Sequence, residues 1–329
     1  MKNIRVGVVG TGHLGRLHAK FFKEIHNCEL IGIYDINEDT AYSVGKEYSL
    51  QVFKSLDELL PNVDVLSVAS TTSSHYKIAK KAIKLQKNLF IEKPITSNIK
   101  QAEEIVELSK KKNVMIQIGH IERFNSALIS LEKYDLDPKF IQTDRLAQFN
   151  PRGLDVAVVH DLMIHDIDII LSLVKSSVKD VHASGISVVS EKIDIANARL
   201  EFENGAVANV TASRISQKKM RKMRMFQKDA YITLDFLSGV SEVFRLVSPE
   251  DKSMEHFISF GEMGIGENKK AVIYEQPERV EINALKYELQ LFINSILNNE
   301  PPKVSGEDGL KALKVAEKIV NKIEESKIN

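Results

Sequence analysis

The run Ile4-Arg5-Val6-Gly7-Val8-Val9-Gly10-Thr11-Gly12-His13-Leu14-Gly15 constrains this chain more than any other stretch. A β-branched apolar strand enters a G-x-G-x-x-G turn, and the residues after Gly15 read as a helix. Gly10 permits the tight turn, Gly12 lets the backbone approach a pyrophosphate, and Gly15 lets helix and strand pack closely. Thr11, His13 and Leu14 complete the loop, and the helix N-terminus behind it offers N–H groups and a positive dipole end to phosphates. A second apolar strand, Leu30-Ile31-Gly32-Ile33-Tyr34, ends at Asp35, the acidic spacing expected beyond such glycines. That carboxylate can accept both hydroxyls of an adenosine ribose and would repel a 2′-phosphate. Ile36 and Asn37 follow it with no arginine, so the pattern favours NAD over NADP. A glycine turn in an ordinary βαβ unit is the plainer reading; the strand–helix–strand–acid context weighs against it.

A chain of 329 residues is too long for one ordinary core and points to two domains. The 45 basic and 45 acidic residues cancel, so no global field suggests nucleic acid or a membrane surface. Cys28 is the only cysteine, which excludes an internal disulfide and favours a reducing, cytoplasmic compartment. The N-terminal apolar run is short and breaks at once into the glycine turn, unlike a secretory signal, and no stretch approaches the length of a membrane span.

Up to about Gly119, short apolar strands alternate with amphipathic helices, which argues for a doubly wound parallel sheet. The strands expected are 4–9, 28–34, 63–69, 88–92 and 114–118, with helices near 15–25, 38–48, 73–87 and 97–112. Ser97 is the expected cap of the last helix, and Lys110-Lys111-Lys112 suits its C-terminus. Two strand ends carry polar residues where such sheets bind ligands. Ser70, Thr71, Thr72 and His75 follow the third strand and can cap a helix, line a dinucleotide groove, or do both. Glu92-Lys93-Pro94 follows the fourth; the proline restricts Lys93 to extended backbone and so fixes its direction. A surface ion pair would explain Glu92 and Lys93 equally simply, but the end of a central strand favours an active-site role.

The segment Asp155–Asp168 reads as one helix in which Asp161 and His165, four apart, share a face. A carboxylate beside an imidazole suits acid–base chemistry, and it also suits a core or capping network. His160, Asp161, His165 and Asp166 fan around that helix, so no metal site is expected. A helix also follows Gly119, running to about Lys133. From Val178 onward, near-alternating strands at Val181–Val189, Asp194–Phe202, Ala206–Ser213, Lys222–Phe226, Ala230–Phe236 and Glu242–Val247 predict an α+β domain on one open, mainly antiparallel sheet. The basic run from Arg214 to Lys228 reads as a strand with one wet face, with Arg214 and Arg152 as candidate diphosphate ligands. Residues 261–279 read as a mobile loop, and helices near 281–298 and 306–326 close the chain.

Gly10–Gly15, Asp35, Ser70–His75, Glu92-Lys93-Pro94, Asp161-x-x-x-His165 and Glu307-Asp308-Gly309, in that order, resemble the glucose–fructose oxidoreductase/inositol dehydrogenase (Gfo/Idh/MocA) family. The resemblance implies an NAD-binding Rossmann domain over 1–119 and a substrate and oligomerisation domain over 120–329, with the C-terminal helices returning to the first. It implies Lys93 and His165 as the catalytic pair, Asp161 orienting His165, and a homodimer or homotetramer built through the second sheet. The string Gly119-His120-Ile121-Glu122-Arg123-Phe124-Asn125 is similar to the branch that oxidises the 3-hydroxyl of UDP-N-acetylglucosamine, which makes Arg123 and Asn125 candidate substrate ligands and an aminotransferase a candidate partner. An inositol or free-sugar dehydrogenase, and a non-catalytic NAD sensor, are the alternatives; retention of both Lys93 and His165 speaks against the sensor.

Overall fold

The computed structural model describes residues 3–151, 154, 156–250, 258–266 and 269–327. The chain divides into two compact units, Met1–Ile121 with Asn283–Lys314 and Glu122–Ile282 with Val315–Asn329. In the first, β1 (Ile4–Val9), α1 (His13–Phe22), β2 (Cys28–Tyr34), α2 (Glu38–Tyr48), β3 (Gln51–Val52), α3 (Leu56–Leu59), β4 (Val65–Val68), α4 (Thr72–Lys84), β5 (Asn88–Glu92), α5 (Ile99–Lys112) and β6 (Ile116–Gly119) follow one another. The six strands pair in parallel in the order β3-β2-β1-β4-β5-β6. Strand order reverses between β1 and β4, and the carboxyl ends of these two strands flank the crevice where such sheets bind ligands. Every residue of β4 is buried, as expected of a strand with helices on both faces.

The second unit begins with α6 (Ser126–Ile129) and β7 (Phe140–Leu146), then a π turn over Val159–Met163 that runs into α7 (Ile164–Val174). Eight strands follow: β8 (Val178–Ile186), β9 (Ile195–Phe202), β10 (Val207–Ser213), β11 (Met220–Phe226), β12 (Ala230–Asp235), β13 (Val240–Val247), β14 (Ile258–Met263) and β15 (Lys270–Glu275). With β7 they form one sheet in the order β14-β15-β13-β12-β11-β7-β10-β9-β8, antiparallel except for the β7–β10 pair. Alternating burial along β9, β10 and β12 leaves one face packed and one open. On the open face Phe140, Phe226, Tyr231, Phe244 and Tyr274 form a ladder with ring centroids 4.7–5.9 Å apart, and Phe260 joins it from β14.

α8 (Ala284–Asn298) belongs to the first unit, and α9 (Gly306–Lys327) contributes to both. Leu285, Leu289, Phe292 and Ile293 of α8 join Val6, Val8, Phe22, Ile33 and Phe90 in one buried cluster. Complete burial of each such side chain stabilises by roughly 1.5–3 kcal/mol. This cluster is why the end of the chain packs with its beginning. Among the described residues no helix is long and apolar enough to cross a membrane.

Local departures from the sequence reading have identifiable causes. Asn98, not Ser97, caps α5, accepting a hydrogen bond from the Gln101 amide at 3.0 Å. The helix expected to reach Lys133 stops at Ile129, where the Ser130 hydroxyl bonds back to the Ala127 carbonyl at 3.0 Å and meets the Ser241 hydroxyl at 2.7 Å. Such side-chain bonding competes with the helical ladder. The loop expected over 261–279 includes part of β14 and all of β15, since Ala271, Val272 and Ile273 are buried and outweigh the neighbouring glycines. β3, with two residues, is too short for its period to be read, and β7 was not anticipated.

Candidate active site

At the carboxyl edge of the parallel sheet the glycine turn is built by close approach. Gly10 has φ +88°, and a Cβ there would lie 2.5 Å from the Ser70 nitrogen. A Cβ on Gly15 would lie 1.8 Å from the Gly10 carbonyl oxygen. Gly12 differs: nothing lies within 4 Å of its missing Cβ, and Gly12, His13 and Leu14 are exposed. Asp35 is held against this turn. One of its oxygens accepts from the Thr11 amide at 2.5 Å and the Thr11 hydroxyl at 3.0 Å, and the other accepts from the Asn37 amide at 2.9 Å. Thr11, expected to line the cofactor groove, is buried and acts as the support of Asp35.

Ser70, Thr71 and Thr72 open α4 at the same edge, with the Ser70 hydroxyl 2.7 Å from that of Ser74. His75 does not line the groove. It is buried, with its ring nitrogens 3.0 Å from the carbonyl oxygens of Pro94 and Ser70, so it braces the two ligand-edge loops against each other. Burial lowers its pKa. Glu92 also points inward. Its partner is His18 of α1, whose Nε2 lies 2.9 Å away while Nδ1 lies 2.7 Å from the Ser67 hydroxyl. Glu92 thus braces the end of β5 against α1 instead of forming a surface ion pair with Lys93. The half-buried Lys93 follows it, joined to Pro94 by a cis peptide bond.

In the second unit the segment that carries Asp161 and His165 was expected to be one helix from Asp155, which lies outside the described residues; over 158–168 it is not one continuous α-helix. Asp161 sits in the π turn and His165 in the first turn of α7, both half-buried. A π turn inside a helix is frequent at functional sites because it re-aims side chains. Three of the expected substrate ligands are committed elsewhere or not described. Arg123 forms a two-pronged pair with Asp168, both N–H···O distances being 2.7 Å. Asn125 caps α6 through the Ala127 amide at 3.1 Å, and its amide donates to Glu122 and to the Phe236 carbonyl. Arg152 lies outside the described residues. Arg214, a fourth, is buried, donating to the Val156 carbonyl at 2.6 Å, and lies 3.8 Å from Asp194. It thus shapes the approach to the π turn and does not present an open fork to a diphosphate. Burial opposes the charge of Asp194, but the amides of Val188, Val189 and Ser190 and the Ser190 hydroxyl outweigh it and hold that carboxyl down at about 2.

The remaining basic residues of the 214–228 run follow the wet-face expectation: Met223 and Met225 are buried, Lys222 lies 3.6 Å from Asp235, and Arg224 lies 3.3 Å from Asp144. No group of three or more His, Cys, Asp and Glu among the described residues is placed to hold a metal ion. His160 faces Glu317 at 3.3 Å, and Asp166 is taken by Arg145.

Comparison with known proteins decides the family. Residues 4–120 match the model of the oxidoreductase family with an NAD-binding Rossmann fold, and residues 117–233 match the GFO/IDH/MocA C-terminal domain. UDP-N-acetylglucosamine 3-dehydrogenase from Acidithiobacillus ferrooxidans is 33% identical over 317 residues, 96% of either chain. Its solved structure superposes with a TM-score of 0.87 over 99% of both chains. Myo-inositol 2-dehydrogenase from Thermotoga maritima is 28% identical, covering 94% of this chain and 93% of that one. The chain belongs to the GFO/IDH/MocA family.

As a member it is an NAD-binding oxidoreductase, and its first unit fits that cofactor. The space beside Gly12 admits a phosphate, α1 has no acidic residue in its first turn, and its Gly12 cap makes no side-chain hydrogen bond. Gly10, Gly12, His13, Leu14 and Gly15 would hold the pyrophosphate, Asp35 the adenosine ribose, and Ser70 to Thr72 the groove beyond. Sequence reasoning missed the partners of His18, Arg145 and Arg123. They lie 74 residues away for His18, and 21 and 45 residues away for Arg145–Asp166 and Arg123–Asp168. No local spacing announces such pairs.

Proposed function

We propose that this GFO/IDH/MocA oxidoreductase oxidises UDP-N-acetylglucosamine at C3, hydride leaving the carbon and a proton leaving its hydroxyl, to give the 3-keto nucleotide sugar. The similarity to the Acidithiobacillus enzyme along 96% of both chains carries this reading. NAD, when bound, supplies the hydride acceptor. His165 takes the hydroxyl proton, and the Lys93 ammonium stabilises the alkoxide as it forms, the kind of preorganised electrostatic help that is often the largest single contribution. Asp161 orients the imidazole and favours its protonated form. The product ketone is the substrate class of an aminotransferase, which would install an amine at C3. The single cysteine fits a cytoplasmic setting.

The test is incubation with NAD and UDP-N-acetylglucosamine in the presence of hydroxylamine, which traps the ketone and draws an uphill oxidation forward. The expected result is NADH formation with a trapped 3-oxime. Turnover of inositol or a free hexose, with none of the nucleotide sugar, would keep the reaction class and replace the substrate. The inositol enzyme among the relatives supports that second reading.

We further propose a homo-oligomer formed through the open face of the second sheet. The ladder that runs from Phe140 through Phe226 (41% exposed) to Phe260 (61% exposed) supports it, because a contiguous aromatic row open to solvent is the kind of surface that interfaces cover. Phe226→Asp is expected to convert the sedimenting species to a 37.0 kDa monomer; an unchanged oligomer would reject this face.

A further inference from the structure

Two arginine–carboxylate pairs grip α7 close to His165. Arg123, on the turn that follows β6, donates Nε and Nη2 to the two oxygens of Asp168 at 2.7 Å each. Arg145, inside β7, donates Nε and Nη2 to the two oxygens of Asp166 at 2.8 Å each, and its Nη1 reaches Glu122 at 2.9 Å. Asp166 and Asp168 are 2% and 1% exposed, and Arg145 is 2% exposed. Burial opposes ionisation of Arg145, but Asp166 and Glu122 together outweigh it and raise its pKa. Glu122 is shared with Arg221 at 3.1 Å, and the Arg145 guanidinium lies 5.9 Å from the centroid of the Phe236 ring. Two-pronged pairs of this kind fix direction as well as distance.

Their placement on the helix is the informative part. At 3.6 residues per turn, Asp166 lies about 100° from His165 on one side and Asp168 about 60° on the other. The two clamps therefore bracket the arc from which the His165 side chain emerges. A helix held at one point can still roll about its axis; held at two points on different faces, it cannot. The roll matters most next to a π turn, where the regular ladder that would otherwise fix it is interrupted.

We propose that Arg123 and Arg145 are positioning residues, which lock the rotation of α7 through Asp168 and Asp166 and so set the direction of the His165 imidazole. The inference rests on His165 being the catalytic base, and it gives Arg123 a role different from substrate contact. Arg123→Lys, which keeps the charge and loses the fork, is expected to fold with an unchanged far-UV spectrum and to lose kcat about 10- to 100-fold. KM for the nucleotide sugar and Kd for NADH should move less than about threefold, and Asp168→Asn should give the same split. The double variant should be no slower than the slower single, because the pair acts as a unit. A KM raised tenfold or more in Arg123→Lys but not in Asp168→Asn, or turnover at the wild-type rate in both, would overturn the proposal. Placement can also be read without turnover. The His165 imidazole resonance, assigned by its loss in His165→Asn, should shift in Arg123→Lys and Asp168→Asn, and an unmoved resonance rejects the clamp. A wild-type protein inactive on every sugar would instead reject His165 as the base and leave the resonance test readable.

Discussion

Lys93→Met is expected to lower kcat by about a hundred- to ten-thousand-fold while leaving the Kd for NADH within about threefold. The asymmetry follows from where the residue sits. Lys93 is half-buried at the mouth of β5, whereas Glu92 beside it is buried against His18 and the strand behind it is packed through Leu89, Phe90 and Ile91. Removing the ammonium therefore takes away a charge at the mouth and leaves its support in place. Stopped-flow hydride transfer with fluorescence titration of NADH separates the two quantities. Lys93→Met turning over at more than a tenth of the wild-type rate would remove Lys93 from the chemistry. Loss of NADH binding and turnover together would make it a cofactor ligand first.

Gly15→Ala is expected to destabilise the protein by about 1–3 kcal/mol and to weaken NADH binding about a hundredfold or more. Its methyl group would stand 1.8 Å from the Gly10 carbonyl oxygen and 2.7 Å from the carbonyl carbon, both backbone atoms that cannot swing aside. The turn must open, and with it the register of the α1 N-terminus against the phosphates. Gly12→Ala supplies the contrast. Its methyl group meets no protein atom within 4 Å, so thermal stability should stay near wild type while affinity for the dinucleotide falls. Calorimetry and NADH titration of the two variants distinguish a glycine needed by the fold from one needed by the ligand. Equal losses of stability in both would contradict the assignment.

Much of the fold was legible in the chain because its signals are local. β1, β2 and β5 fall on the expected ranges, since short buried runs between glycine, capping and acidic residues leave few alternatives. Asp35, Lys93, Asp161 and His165 were likewise proposed from short motifs and the resemblance these carry. Long-range decisions were not legible. Glu92 and Lys93 read together as active-site candidates at a strand end, with a surface ion pair as the plainer alternative, and Glu92 faces His18. Arg214 carried the chemistry of a diphosphate ligand and Arg123 that of a substrate ligand, and the fold pairs Arg123 with Asp168 and has Arg214 donate to a backbone carbonyl. β7 escaped notice, and it inserts between β11 and β10 in the second sheet.

The sequence by itself determined the glycine turn of the dinucleotide domain, the acidic residue at the end of its second strand and the two-sheet architecture. These depend on backbone geometry and side-chain type within a few residues, where steric and hydrogen-bonding preferences act directly. Only the tertiary structure decided which polar groups face a ligand and which hold the frame. A buried carboxylate or guanidinium must find its countercharge wherever the fold supplies it, and residues 45 or 74 positions apart become partners only once the sheets and helices have packed.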